Sequence, residues 1–341
     1  MPDAVPPFPA EPGDEEVERV VCVSISTVKD AVFAQMEKIR AAALRHNPAN
    51  GIHAVLLYQS GWFIYWAEGP AVALRKAIEH IRADQRHHSL RIVHFSRGKR
   101  LLPTVWSMMM APSPTTPQEF GLRVQALRFE MDQGRQHSPI SAARRLTAPM
   151  MLAQARGMAD PDAFHRVAVC SAGTSESFAL VRWLSEKFGE TISRRRVSGI
   201  DDRDSGAEYV EFMLDGHPCR VIAISRNSLS YGLTRAMLPD WPYFMLLFAG
   251  ESRRDHQLMN RVTASCEGLP LTPLLVGIGP DVATHEDMVQ RARAHGLAYL
   301  NGGLMQPEDC GAIWYVIQEH LRRAGPPASS TWPVLDSRPL G

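Results

Sequence analysis

The chain lacks the cysteine spacing of a zinc knuckle or a redox pair. Cys22, Cys170, Cys219, Cys266 and Cys310 are scattered, and no two are separated by only two residues. Most lie within apolar segments, which reads as buried, reduced thiols. Net charge is missing too: 37 Lys and Arg face 36 Asp and Glu, leaving +1. That balance excludes a strongly basic nucleic-acid binder, and no basic groove interleaved with aromatics replaces it. No apolar run approaches the ~20 residues that span a bilayer. The opening stretch MPDAVPPFPAEPGDEEVE has proline and acid where a secretory signal needs a basic start and an apolar core. The expected location is cytoplasmic. What is present suffices for a soluble globular fold: 45% hydrophobic and 21% charged residues over 341 positions, or about two domains at ~150 residues each.

Residues 1–18 form a proline- and acid-rich arm expected to be disordered. Residues 19–110 then read as one domain. VERVVCVSIS is a β-branched strand, followed by a helix over about 28–45 that must end near Asn47-Pro48, because the residue before proline is pushed out of the helical region. GIHAVLLYQ and WFIYWAE flank Ser60-Gly61 at hairpin spacing. A second amphipathic helix over 71–83 precedes the strand LRIVHFS. The order β-α-β-β-α-β is the ferredoxin-like α+β plan, one sheet covered by two helices. APSPTTP breaks the chain. In the connector, 111–164, residues 118–133 carry Phe120, Val124, Leu127 and Met131 on one helical stripe, and RQHSPISAARRLTAPM is expected to be a solvated basic surface. Residues 165–324 alternate apolar strands with helices, which implies a mostly parallel, doubly wound α/β sheet with a hairpin edge at Asp215-Gly216. Residues 325–341 form a tail.

The first domain carries a recognisable frame in LLYQSGWFIYWAEGP, IRADQRHHSLRI and RLLPTVWSM. On these motifs residues 19–110 resemble the BLUF family, blue-light sensors that use FAD. The resemblance implies a flavin slot and, in the family, light activation by electron and proton transfer from a Tyr followed by rearrangement of a Gln. Ser24 is kept, but Cys22 stands at the family Tyr position and Tyr65 at the Gln position. Asn47 matches the flavin-contacting Asn, while Ala49 replaces the Arg two positions later. Trp106 and Met108 keep the closing pattern, and Arg82 and His87 come from the second helix. The candidate cofactor-binding set is therefore Asn47, Tyr65, Arg82, Trp106 and Met108. Tyr65 and His53 are expected to fill the slot, so no cofactor is expected, with FAD or a nucleotide as the alternative. Cys22, His53 and Tyr65 could instead ligate metal or haem, but a cavity refilled with side chains explains them more simply. His87-His88 reads as a solvent-facing pair at a helix end.

The second domain resembles a small Ras-like GTPase in element order. VAVCSAGTSESFALV stands where a P-loop would be, yet Glu176 falls on the phosphate-binding lysine and only Gly173 remains inside the loop. Ser225 or Arg226 falls where the magnesium-sensing Asp belongs, and GIGPD replaces the guanine-reading motif. Gly173, Thr174, Ser175, Ser177 and Asp281 are the candidate nucleotide- or anion-binding residues, with simple helix capping as the cheaper explanation. Asp201, Asp202 and Asp204 form an acidic stretch that reads as surface loop.

A sensory fold without its photochemical residues, joined to a P-loop-GTPase-like fold without its lysine, implies a non-catalytic regulatory or scaffold protein. It would act through protein partners in bacterial signalling or assembly, as a homodimer or in a larger assembly. The alternatives are a ligand sensor that binds flavin, another planar cofactor or a nucleotide, and a divergent GTPase or other enzyme.

Overall fold

A computed structural model describes residues 16–28, 30–111, 115–135, 137–147, 163–173, 175–197 and 205–325. The first unit comprises β1 (Glu16–Ser26), α1 (Val32–His46), β2 (His53–Gln59), β3 (Trp62–Gly69), α2 (Ala71–Ala83), β4 (His87–Lys99) and β5 (Trp106–Ala111). Its sheet runs β4-β1-β3-β2-β5, the ferredoxin-like order with a fifth strand added parallel to β2. The β2–β3 turn places Ser60 and Gly61 at φ 53° and 75°, the left-handed pair that a two-residue hairpin requires. Strand alternation then sorts the side chains. Cys22, Leu56, Phe63 and Tyr65 face one side with α1 and α2. Val21, Val23, Val55, Leu57, Ile64 and Trp66 face the other.

That second face is covered by the connector. α3 (Pro117–Asp132) starts with a reciprocal capping box between Thr116 and Glu119 and buries Phe120, Val124 and Leu127. α4 (Pro139–Thr147) adds Ile140, Ala143 and Leu146 to the same core. The expectation of a solvated basic stretch fails here. Arg144 is buried in an ion pair with Asp240, and Arg145 is buried against Glu130, donating to Oε1 at 2.6 Å. Both guanidiniums find carboxylates that lie distant in sequence, which lowers the cost of removing them from water. His87 and His88 likewise sit at the start of β4 rather than at a helix end.

The second unit comprises β6 (His165–Ser171), α5 (Glu176–Phe188), β7 (Ser193–Val197), β8 (Ser205–Leu214), β9 (His217–Ile224), α6 (Gly232–Met237), β10 (Tyr243–Leu247), α7 (Ser252–Cys266), β11 (Leu274–Gly279), α8 (Val282–Ala294), β12 (Tyr299–Leu304) and α9 (Cys310–Ala324). The strand order is β12-β11-β10-β6-β9-β8-β7. β6 and β9–β12 are parallel, whereas β8 and β7 are antiparallel additions at one edge. α5 and α9 pack on one face, and α7 and α8 on the other. β7, which the sequence reading missed, runs beside β5, so the edges of the two sheets meet.

The P-loop comparison breaks down in the β6–α5 turn. The Glu176 carboxylate folds back over the loop, accepts from the Ser175 N–H at 3.1 Å, and occupies the space a Cβ on Gly173 would take. A working phosphate cradle leaves that space to its ligand. Here the chain fills it with its own acid.

Candidate functional site

Between α1, α2 and the first sheet lies a small cavity of about 80 Å³. The pairing register lays out its floor. Cys22 faces Tyr65, Tyr65 faces Leu56 and Leu56 faces Met108, one row across four strands. In the adjoining row Ser24 faces Phe63. Ile39 of α1 and Ile81 of α2 close the sides, and Trp106 forms the wall at β5. At the rim, Arg86 donates from Nε to the Asp84 carboxylate at 2.9 and 3.0 Å, and this hydrogen bonding holds the Asp84 carboxyl below its ordinary range.

Among the described residues two polar atoms in this wall have no partner: Trp106 Nε1 and His87 Nδ1 are both buried. Burying such groups unpaired costs about 1–3 kcal/mol each, a cost that a ligand with acceptors along its edge would remove. Burial lowers the His87 pKa, which favours a neutral imidazole. Burial also pushes the Cys22 thiol up to about 12, with the charge of Arg82 opposing, and raises the Tyr65 phenol. Both therefore stand protonated at neutral pH. An apolar slot with a few donors on its edge is what a planar aromatic cofactor such as an isoalloxazine needs, so the residues present fit a flavin.

The structure separates the sequence candidates. Tyr65 and Trp106 line the cavity. Tyr65 does not fill it, and His53 lies on the opposite face, with Nδ1 2.7 Å from the Leu102 carbonyl. The proposed Cys22, His53 and Tyr65 metal set is thereby split, and among the described residues no group of three His, Cys, Asp or Glu could hold a metal ion. Arg82 stands on α2, near enough for its charge to act on Cys22. Asn47 is buried and donates from Nδ2 to the Val105 carbonyl at 3.4 Å, anchoring the approach to β5. Met108 continues the floor but opens onto a separate cleft beside Trp106 and Tyr231. Sequence reading missed Phe63, Ile81, Asp84 and Arg86. Strand parity from the Ser60-Gly61 turn would have placed Phe63 with Tyr65 and His53 against them.

In the second unit, Gly173 and Ser175 lie in the loop closed by Glu176. Thr174 lies outside the described residues, as do Asp201, Asp202 and Asp204. Ser177 is buried with its hydroxyl unpaired. Asp281 caps α8, accepting from Thr284 N–H at 2.7 Å, and this bond keeps its carboxyl below the usual range. Gly173, Ser175 and Asp281 lie in two loops at the carboxyl edge of the parallel strands, the edge where open α/β sheets bind ligands.

Residues 18–109 match the family described as sensors of blue-light using FAD, BLUF. No curated protein matches the chain. Among solved structures, the BLUF protein BlrB in its dark state is 24% identical over 39% of this chain and 92% of its own, with a TM-score of 0.27. A bacterial light-regulated adenylyl cyclase is 11% identical, covering 74% of this chain and 67% of its own at a TM-score of 0.27. Klebsiella pneumoniae BlrP1, as a manganese/cy-diGMP complex, is 14% identical over 83% and 74%, also at 0.27. The family match corrects the expectation that no cofactor is needed. The last two matches extend past the first unit. The Ras-like assignment of the second unit is corrected by its own β6–α5 loop, where Glu176 takes the space a phosphate would need, and the P-loop-GTPase-like fold and the non-catalytic scaffold reading built on it are corrected with it.

Proposed function

We propose that this protein is a flavin-binding sensor whose first unit governs a catalytic output in the second. The observation that carries the reading is the cavity between α1 and α2, with its apolar floor and the unpaired Trp106 Nε1 and His87 Nδ1. Trp106, His87 and Ser24 would hold the polar edge of the ring, and Phe63, Tyr65, Leu56 and Ile81 its faces. A bound flavin supplies visible-light absorption and one-electron chemistry. The chain's own part is to exclude water and to present Cys22 and Tyr65 in their neutral forms. Neither copies the Tyr and Gln of the family, so the photochemical response differs from the family's.

The route to the output is the connector. α3 and α4 pack on the back of the same sheet, and Arg144 of α4 is ion-paired to Asp240 beyond α6. For the output, the longer matches are described as an adenylyl cyclase and as a cyclic dinucleotide complex. Nucleotide substrates are accordingly the class to assay, at the carboxyl edge of the second sheet. Among the described residues no helix is long and apolar enough to cross a membrane, and the reading places the protein in the cytoplasm, acting on protein partners or a second copy rather than on nucleic acid.

The test is an absorption spectrum of the purified chain, with released ligand identified by mass spectrometry and with riboflavin, FMN and FAD titrated into ligand-free protein. Stoichiometric flavin, weakened about five- to tenfold by Trp106→Phe, is the expected result. Protein that carries no flavin and takes up none of the three would overturn the proposal.

A further inference from the structure

The cleft beside Trp106 and Tyr231 lies between the two units and holds about 290 Å³, close to the lower bound of small-ligand sites. One wall comes from α1 and β5, through Arg40, Leu44, Trp106 and Met108. The other comes from the turn after β9, through Tyr231, and from α7, through Arg261. The two walls touch at Gly232, where a Cβ would collide with Ser107 and Thr104. The remaining polar side chains, Thr104, Ser107, Asn227 and Ser230, are uncharged, and among the described residues no carboxylate lines the cleft.

Both guanidiniums keep donors open. Arg40 meets Glu37 of its own helix through Nε at 2.9 Å, and its two Nη groups have no partner among the described residues. Arg261 donates from Nη1 to the neutral Asn227 Oδ1 at 2.7 Å and forms no ion pair among the described residues. Arg226, next to Asn227, forms none there either, and the charges of Arg226 and Arg261 both act on the buried Cys170. A planar guanidinium with open donors and no carboxylate favours an anion with several oxygens, and phosphate matches its fork. The rest of the lining is aromatic and apolar, the surface on which a nucleobase stacks.

We propose that this cleft binds a nucleotide, its phosphate held between Arg40 and Arg261 and its base against Trp106 and Tyr231. The proposal deepens the nucleotide reading of the second unit and rests on it for the class of ligand; the site itself follows from the cleft. Its walls come from both units, so occupancy would tie the sensor to the output. Arg261 and Leu44 do not line the flavin slot, which keeps the two sites separable.

The test is calorimetric titration of AMP and GMP into the full chain, beside adenosine and inorganic phosphate. One-to-one binding of at least one nucleotide is expected, roughly tenfold or more tighter than adenosine or phosphate. Arg261→Gln should weaken it about tenfold. Leu44→Glu, at a position 44% exposed, sets a carboxylate at the rim and should weaken binding comparably without removing a donor. The proposal fails if neither nucleotide binds, if adenosine or phosphate binds as well, or if either folded variant binds unchanged. Should Arg261→Gln not fold, Leu44→Glu decides. Binding without any nucleotide turnover would sink the catalytic output and leave this site standing, whereas turnover without binding sensitive to Arg261 and Leu44 would do the reverse.

Discussion

Replacing Glu68 should damage the first unit more than any surface substitution, because its carboxylate meets donors on both oxygens. Oε2 accepts from the N–H groups of Leu101 and Leu102 at 2.6 and 2.9 Å, and Oε1 accepts from Trp66 Nε1 at 3.0 Å. The side chain is wholly buried. Burial raises its pKa, opposed by these hydrogen bonds and by the charge of Arg19. Glu68→Ala strands three buried donors at about 1–3 kcal/mol each. Partial relaxation and water entry reduce the sum, and a loss of about 3–5 kcal/mol is expected, in line with breaking other buried charged contacts. Glu68→Gln is more selective. Its carbonyl can keep the Leu101 and Leu102 N–H groups, but its NH₂ must then face the indole N–H of Trp66, donor against donor. About 1.5–3 kcal/mol should be lost. Urea unfolding read through the first unit's transition would give both values. A double-mutant cycle adds the discriminating result: in the Glu68→Gln background, Trp66→Phe should cost about 1 kcal/mol less than in wild type, since the clashing donor is gone. A Glu68→Ala variant within 0.5 kcal/mol of wild type, or a cycle with no coupling, would refute the argument.

Burial works against the Glu130 carboxylate, yet hydrogen bonds from Arg145 and His137 hold it down to about 2, below its ordinary 4.5. Its contribution is therefore complete above about pH 4.5 and lost as pH falls toward about 2. Glu130→Gln should cost about 1–3 kcal/mol at neutral pH and progressively less through that window, as urea midpoints across pH would reveal. Ser177 buries a hydroxyl with no partner among the described residues, so Ser177→Ala should leave stability unchanged or raise it by about 1 kcal/mol; a thermal-melt loss greater than that would mean the hydroxyl has a partner. Leu122 and Phe129 stand two turns apart on α3, 63% and 65% exposed, a stripe suited to a second copy. Changing both to Ser should shift the sedimentation profile toward monomer, and an unchanged profile would remove α3 from the contact.

Local rules made the first unit legible. Asn47-Pro48 stopped α1, Ser60-Gly61 fixed the hairpin, and period-two alternation sorted the two faces. The connector was not legible, because its arginines are satisfied by Glu130 and Asp240, and Asp240 lies almost 100 residues on. A basic stretch looks solvated until its distant partners are known. His53 was misplaced for a different reason. Its motif position points to the slot, although parity with Leu57 and Ile64 puts it on the far face. In the second unit the alternation of strands and helices is readable, but Glu176 at the lysine position signals only a lost lysine. The fold shows it as an acid occupying the loop. Whether a carboxylate points away from a loop or into it depends on backbone turns that composition does not encode.

The way α3 and α4 complete the first sheet redefines where this module can be cut. A fragment ending with β5 would leave Ile64, Trp66, Val21 and Val23 facing water, a broad greasy sheet open to self-association. The transferable piece runs from Glu16 to Thr147, about 40 residues longer than the stretch that family likeness would suggest. A chimera cut after β5 should precipitate, whereas one that keeps both connector helices should stay in solution and carry the slot intact.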